Sequence, residues 1–297
     1  KQSKDDNATW QYGAFDNETG TVYSLWKKNL HTYHFIEEDT FDISLIEESF
    51  ANSEIIEKKQ NRKQTKVQGY PALDMVFATK DGQTLKARAF IKGADYYLLT
   101  AIANKKNIAQ TDKFFNSFSF TNFTYPAAEY YEDTSLHFTV NSRVIPKIDT
   151  AIKSLVEQSM NYERFANQDE TYSSYIRNKN FLFKNDTTGE AIAITVKTFA
   201  EYAYARDTMK FWNKEIGWED LKEDLVIDGK EYFKTEDSIC GYRYNLLDTN
   251  TNRKIKVLQV LKDNQVFSVQ SMVDSKSEES DFIKDFYASF KPQKKSY

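Results

Sequence analysis

The stretch "LKARAFIKGADYYLLTA" (residues 85–101) decides the fold prediction, because it reads as two strands joined by a short polar turn. Residues that favour strands flank the turn, which follows Lys92. A second stretch, "IKVLQVLKDNQVFSVQS" (residues 255–271), repeats the pattern in the later part of the chain, with its turn after Lys262. The sequence therefore predicts the same strand pair twice.

Three further pairs of segments recur in the same order as this hairpin, and their spacing along the chain is nearly the same. They are "FDNETGTVYSL" (15–25) with "FKNDTTGEAIAI" (183–194), Gly69-Tyr70 with Gly241-Tyr242, and "FFNSF" (114–118) with "FYASF" (286–290). Within the first pair, Gly20 aligns with Gly189. Four anchors with a nearly constant offset indicate an internal duplication.

The duplication predicts two domains, residues 1–124 and 125–297, which also suits a length of 297 residues. The boundary falls in "TNFTYPAAEYYED" (121–133). The first copy has only a short stretch before Phe15, whereas the second copy extends well ahead of Phe183. We therefore expect the first copy to lack the front of its unit, either because the chain was cut or because this copy is a natural half. A cut is the favoured interpretation, because Lys1 is not a native start.

The fuller second copy gives the predicted element order. A strand at 135–140 precedes a helix at 145–160, whose first turn contains Pro146. Two strands around residue 186, a helix at 206–221 and about four strands follow, and a helix at 277–290 closes the unit. In the first copy, Asp81-Gly82 predicts a type I′ hairpin turn. Hairpin strands with helices before and after them predict the α+β class: two repeated domains, each an antiparallel sheet with helices packed on it.

This order resembles the PsbP/Mog1-like fold family. The residues that carry the resemblance are the hairpin strands 85–103 and 254–273, each followed by a closing helix with a Phe-x-x-Ser-Phe ending. The resemblance covers most of the second copy and the last two thirds of the first, and it implies a non-enzymatic accessory factor that binds a larger complex. No functional motif of the family matches residue by residue, so it implies no site residues.

The charge of the chain excludes one class of partner. With 40 basic and 44 acidic residues, the formal charge is −4, which provides no overall attraction for nucleic acid. The five basic residues between 58 and 66 (Lys58, Lys59, Arg62, Lys63 and Lys66) predict a solvated helix end or loop, with a polyanion site as the alternative. No run of about 18 apolar residues occurs, so no transmembrane segment is predicted.

The candidates for metal binding are few. Cys240 is the only cysteine, so neither an intrachain disulfide nor a cysteine-based metal site is predicted, and a buried small residue is expected there. His31 and His34 stand near three acidic residues, which suits a metal. Their neighbours favour a strand, however, and positions three apart on a strand point to opposite faces. We therefore predict no metal site and no cofactor.

The sequence evidence for catalysis is equally weak, so we predict that the protein is not an enzyme and has no catalytic residues. Ser117 and Ser289 lie far in sequence from every histidine, so we expect small packing residues at the ends of the closing helices, beside a buried stripe formed by Phe114, Phe118, Phe286 and Phe290. Carboxylates such as Asp74 and Asp81 could be paired for glycoside hydrolysis, but nothing in the sequence fixes their separation.

The remaining signal is a set of tyrosines in "TYHF", "DYYLL" and "EYYED", some of which must face outward on strands. They suit a protein partner or sugar stacking, although coverage by helices is the simpler interpretation. Three motifs of the form Asp-Ser/Thr-apolar, which begin at Asp149, Asp207 and Asp237, resemble a short O-glycosylation signal of exported bacterial proteins. We therefore expect an extracytoplasmic (periplasmic or cell-surface) accessory subunit that binds other proteins of a membrane-associated complex. A carbohydrate-binding or carbohydrate-processing protein and a cytosolic adaptor are the alternatives.

Overall fold

The computed structural model describes residues 2–4, 9–29, 39–92, 95–146, 177–185, 187–199, 208–216, 225–249, 253–273 and 279–293. The chain folds into two separate units, Lys1–Phe123 and Thr124–Tyr297. Each unit has a central antiparallel sheet and its own buried clusters of apolar side chains.

The first unit is built on a seven-stranded antiparallel sheet. Its strands are β1 (Gln2–Lys4), β2 (Thr9–Asp16), β3 (Thr21–Asn29), β4 (Ile56–Val67), β5 (Tyr70–Thr79), β6 (Thr84–Lys92) and β7 (Asp95–Ala103). They lie in the order β1-β2-β3-β7-β6-β5-β4. Helix α1 (Asp39–Ala51) lies between β3 and β4 in the chain, and a 3-10 turn (Ile108–Thr111) and helix α2 (Asp112–Ser117) follow β7.

Both faces of this sheet bury apolar side chains, so apolar residues occupy consecutive positions in parts of β5, β6 and β7. On one face, Leu73 and Phe77 of β5 belong to a cluster with Ile43 of α1. On the other face, Phe90 of β6 belongs to a cluster with Phe115 of α2. Phe77 and Phe90 are both fully buried.

The second unit contains a six-stranded antiparallel sheet and a smaller, three-stranded one. Its strands are β8 (Glu129–Asp133), β9 (Phe138–Ser142), β10 (Arg177–Lys184), β11 (Ala191–Thr198), β12 (Leu225–Lys234), β13 (Cys240–Asp248), β14 (Arg253–Lys262), β15 (Gln265–Val273) and β16 (Lys291–Pro292). The sheet orders are β10-β11-β15-β14-β13-β12 and β16-β9-β8. Two helices are described, α3 (Thr208–Ile216) and α4 (Asp281–Ser289), and Phe282 and Phe286 of α4 are fully buried.

The two large sheets share one strand order. The run β2-β3-β7-β6-β5-β4 corresponds, strand by strand, to β10-β11-β15-β14-β13-β12. The first hairpins also close alike: the Gly20 amide donates to Asp16 O and the Gly189 amide to Asn185 O, each at 2.8 Å. Both glycines have a left-handed φ, +69° and +76°. This likeness supports the predicted duplication, in which Gly20 and Gly189 are equivalent.

The predicted α+β class is wrong, because the described chain is mostly β. Strands hold 56% of the described residues and helices only 17%. The predicted helix at 145–160 lies outside the described residues beyond Pro146. The prediction was wrong because side chains of adjacent strands supply most of the buried clusters, and the short helices add few members to them.

The hairpin at Asp81-Gly82 forms, but not with the predicted turn type. A type I′ turn needs positive φ at both central residues. Only Gly82 has one, at +81°, and Asp81 does not. The Gly82 amide donates to Thr79 O at 3.0 Å, so the loop is a tight turn that ends in a left-handed glycine.

The two Gly-Tyr pairs are not structurally equivalent. Gly69 lies in the turn before β5, with φ of +90°, whereas Gly241 lies inside β13, paired with Val260. In the first sheet, the position that corresponds to Gly241 is Ala72, paired with Phe90. The anchor was misleading because a turn glycine and a strand glycine serve different needs, left-handed φ in one case and close strand approach in the other.

Candidate functional site

The serines of the two Phe-rich pentads bond to main-chain groups at the ends of the closing helices. Ser117 Oγ donates to Phe114 O at 3.0 Å. Ser289 Oγ donates to Asp285 O at 2.7 Å and accepts from the Asn141 amide at 2.8 Å, which ties the end of α4 to β9. Such bonds are typical of serines near helix ends. Of the aromatic stripe, Phe286 is fully buried, and Phe114, Phe118 and Phe290 are partly buried against the clusters.

The two carboxylates considered for hydrolysis are not brought together. Asp74 of β5 accepts from Arg88 Nε at 2.6 Å and from Arg88 Nη2 at 2.9 Å, a two-point ion pair. Asp81 lies in the turn after β5, where a hydrogen bond from Thr79 lowers its pKa. The strand from Asp74 to Thr79 alone spans about 17 Å at about 3.3 Å per residue. Paired carboxylates in glycosidases lie within about 9.5 Å.

No cluster of three or more potential metal ligands occurs among the described residues. His31 and His34 lie outside them. Cys240 is a free cysteine at the start of β13 and is half-buried rather than buried as expected.

Three of the four described tyrosines of the predicted aromatic set pack against the protein. The Tyr97 ring stacks on Phe90 with centroids 5.4 Å apart, and Tyr131 packs edge-on to Phe183 at 5.5 Å. Tyr96 is partly buried, and Tyr130 is exposed. The "TYHF" stretch lies outside the described residues.

The basic run forms the exposed edge strand β4, not the predicted helix end or loop. All five of its basic residues are exposed, while Ile56 and Val67 are buried at its two ends. The strand pairs with β5, and its register shifts twice, between Ile56 and Lys58 and between Lys59 and Asn61. The sequence conceals this strand because polar residues occupy both of its faces, so the chain shows no alternation of apolar and polar residues here. We call the exposed stretch from Glu57 to Lys66 the basic edge.

One buried carboxylate holds part of the basic edge. Glu47 of α1, only 8% exposed, forms ion pairs with Lys59 and with Arg62, the latter at 2.8 Å. Burial acts to raise the pKa of Glu47, but hydrogen bonds from the two cations outweigh it, so the pKa lies below its ordinary value. In the part of the chain that the structure describes, Lys58, Lys63 and Lys66 form no ion pair, so their charges face solvent.

The corresponding edge strand of the second unit, β12, is electrostatically different. It carries two basic and two acidic residues, whereas β4 carries five basic residues and one acidic residue. Asp228 and Glu231 of β12 face Lys254 at 3.4 Å and Arg243 at 3.9 Å, so its charges are balanced locally. The basic edge is therefore a property of the first unit and not of the shared architecture.

The chain matches no protein-family profile, and a comparison with curated proteins finds no match. The resemblance to the PsbP/Mog1-like family therefore stays a prediction. None of the described helices has the length and apolar character needed to cross a membrane.

Proposed function

We propose that the protein is a non-catalytic binding subunit of a larger extracytoplasmic assembly, and that the basic edge binds an acidic, extended segment of a partner protein. The observation that carries this proposal is that the sheet order ends at β4, a twelve-residue strand with five exposed basic residues. An exposed strand edge can accept a further strand through main-chain hydrogen bonds, which is a common mode of peptide recognition.

The charge of the basic edge selects among the partners that could pair with it. Lysines on an edge strand oppose pairing with a second copy of the same strand, because like charges would face each other. An acidic segment replaces that repulsion with attraction. Because the basic side chains are exposed, their contribution should weaken as salt shortens the Debye length from about 8 Å at 0.15 M to about 3 Å at 1 M. The extracytoplasmic compartment is proposed from the short sequence motifs at Asp149, Asp207 and Asp237 and from the Asn-, Lys-, Tyr- and Phe-rich, Pro-poor composition.

The test compares charge reversal at the two edges. Affinity capture from detergent-solubilised membranes uses the intact chain, a Lys58→Glu/Lys63→Glu variant and a Lys230→Glu/Lys234→Glu control on β12. Neither changed lysine of β4 contacts Glu47, so the attachment of α1 is preserved. We expect a partner that is retained by the wild type and by the control, and lost with the β4 variant and at high salt.

Hydrogen exchange on the captured complex locates the contact. Main-chain amides of β4 should gain protection on binding, whereas those of β12 should not. Capture that is equal for all three proteins, or protection that is confined to the second unit, would contradict the proposal.

A further inference from the structure

The second unit contains a half-open cavity of about 290 Å³ on one face of its six-stranded sheet. It lies entirely within the described residues, between the sheet and the end of α3. Its lining residues are Thr195, Lys197, Glu215, Ile216, Tyr244, Leu246, Gln259, Val266, Ser268 and Gln270.

A row of polar side chains crosses the sheet at this cavity. Thr195 of β11 pairs with Ser268 of β15, and Ser268 pairs with Gln259 of β14. Thr195 Oγ1 also donates to Asn180 Oδ1 of β10 at 2.8 Å, which extends the row to a fourth strand. Polar residues in the middle of a sheet face are costly to bury unless partners satisfy their hydrogen bonds.

The first unit shows what this position looks like when it serves only packing. Counted from the hairpins β6–β7 and β14–β15, Leu98 corresponds to Ser268 and Ala89 to Gln259, and Trp26 of β3 pairs with Leu98 as Thr195 does with Ser268. Leu98, Ala89 and Trp26 all belong to the apolar cluster that includes Ile43 of α1. The shared topology thus does not require a polar row, and the second unit has one beside an open cavity.

Gln259 differs from the rest of the row because its buried side chain has an oxygen that no described residue satisfies. The residue retains only 7% exposure, and it lines the cavity. Its Oε1 is buried and has no hydrogen-bond partner among the residues that the structure describes. A buried carboxamide oxygen without a donor loses its hydration without compensation, and a ligand donor in the cavity would restore the bond.

The charges in the cavity are already compensated. Lys197 Nζ lies 2.6 Å from Glu215 Oε1. Burial, together with the nearby Glu215 carboxylate, raises the pKa of Tyr244 above its ordinary value, so its hydroxyl stays neutral at physiological pH. The lining therefore offers hydroxyl and carboxamide groups beside the apolar surface of Leu246 and Val266, without an excess of either charge.

We propose that this cavity binds a neutral, polyhydroxylated small molecule of about monosaccharide size, with Gln259 as its buried anchor. A hydroxyl group both donates and accepts, so a polyol can satisfy Gln259 together with Thr195 and Ser268. Its C–H faces can pack on Tyr244 and the aliphatic lining. The cavity volume of about 290 Å³ is just below the roughly 300 Å³ at which ligand cavities typically begin, which suits a ligand of this small size. The proposal is independent of the basic edge, which belongs to the other unit.

The test is ligand-observed saturation-transfer NMR on the full chain. The probes are D-glucose, N-acetyl-D-glucosamine and myo-inositol, with acetate and methylammonium as charged comparators. We expect saturation transfer to at least one polyol and to neither ion. Gln259→Leu should weaken binding of that polyol by about tenfold, the value of one hydrogen bond in a binding equilibrium. Gln110→Leu, the same substitution at an exposed position of the first unit, is the matched control and should bind like the wild type.

A second variant separates loss of the site from loss of the fold. Ser268→Leu introduces the residue that the first unit has at position 98, and it should fill the cavity. We expect it to abolish binding while the melting temperature stays equal or rises. The proposal is overturned if no polyol shows transfer, if the ions bind better than the polyols, or if Gln259→Leu and folded Ser268→Leu bind as tightly as the wild type.

Discussion

At the scale of single residues, the identity of a side chain is visible in the sequence but its partners are not. Tyr287 of "FYASF" stands where "FFNSF" has Phe115. Its hydroxyl accepts from Ser271 Oγ at 3.1 Å and donates to Lys256 O at 2.8 Å, which links α4 to both β14 and β15. These partners lie on two strands that precede the helix in the chain, so only the fold could identify them.

Tyr287→Phe should lower the free energy of unfolding by about 1–2 kcal/mol, because it leaves Ser271 and the Lys256 carbonyl without this partner. Tyr130→Phe is the control, since Tyr130 is 67% exposed, and it should change little.

Burial raises the pKa of Tyr287. A phenol with a raised folded pKa contributes stability below its unfolded pKa of about 10, and this is lost as pH rises beyond it. Urea unfolding of wild type and variant between about pH 7 and about pH 11, a range that brackets the unfolded pKa, measures both effects. Equal stability at neutral pH would show that the bonds contribute nothing.

At the scale of elements, the sequence predicted the strands that are marked by apolar residues and turn residues, and it missed the strand that lacks an apolar face. The hairpin strands at 85–103 and 254–273 are confirmed as β6–β7 and β14–β15, because apolar strands around short polar turns carry a strong local signal. Strand β4 was missed because its long exposed stretch has no apolar face.

The polar row of the second unit left a trace that the alignment of the repeats could have revealed. When 85–101 is aligned with 255–271, Gln259 stands opposite Ala89 and Ser268 opposite Leu98, two changes from apolar to polar inside predicted strands. Single positions of this kind are easily dismissed as surface variation. Thr195, which completes the row, lies much earlier in the chain than Gln259 and joins it only through the strand register.

Gly241→Ala tests the close approach of β13 and β14. A Cβ at Gly241 would lie 1.9 Å from Gln259 O. Because this oxygen belongs to the main chain, the clash can be relieved only if the two strands move apart. We expect a loss of about 2–3 kcal/mol in the free energy of unfolding, typical of overpacking. Gly13→Ala is the matched control: Gly13 is also a strand glycine, and its Cβ would meet only Tyr23 O at 3.9 Å. That substitution should be neutral or slightly stabilising. Equal effects of both variants in denaturant titrations would contradict the predicted clash.

At the scale of the whole molecule, one strand order supports two different surfaces. The first unit seals the centre of its sheet with apolar side chains and exposes a basic edge. The second unit balances the charges of its edge and carries a polar cavity over the sheet. The two proposals, a protein partner at the basic edge and a small molecule in the cavity, would together account for both differences. Neither follows from the overall charge of −4, which averages over both units.

The separate buried clusters predict that damage to one unit stays local. Leu99 is fully buried in a cluster of the first unit, and Ile194 in a cluster of the second. Truncation of either to alanine should cost its own unit about 2–5 kcal/mol through lost contacts and the cavity left behind. Native-state hydrogen exchange read by mass spectrometry resolves where that loss falls. Leu99→Ala should reduce amide protection in β5, β6 and β7 and leave β13, β14 and β15 unchanged, whereas Ile194→Ala should do the reverse. Protection lost to the same extent in both sheets would mean that the two clusters unfold as one cooperative unit.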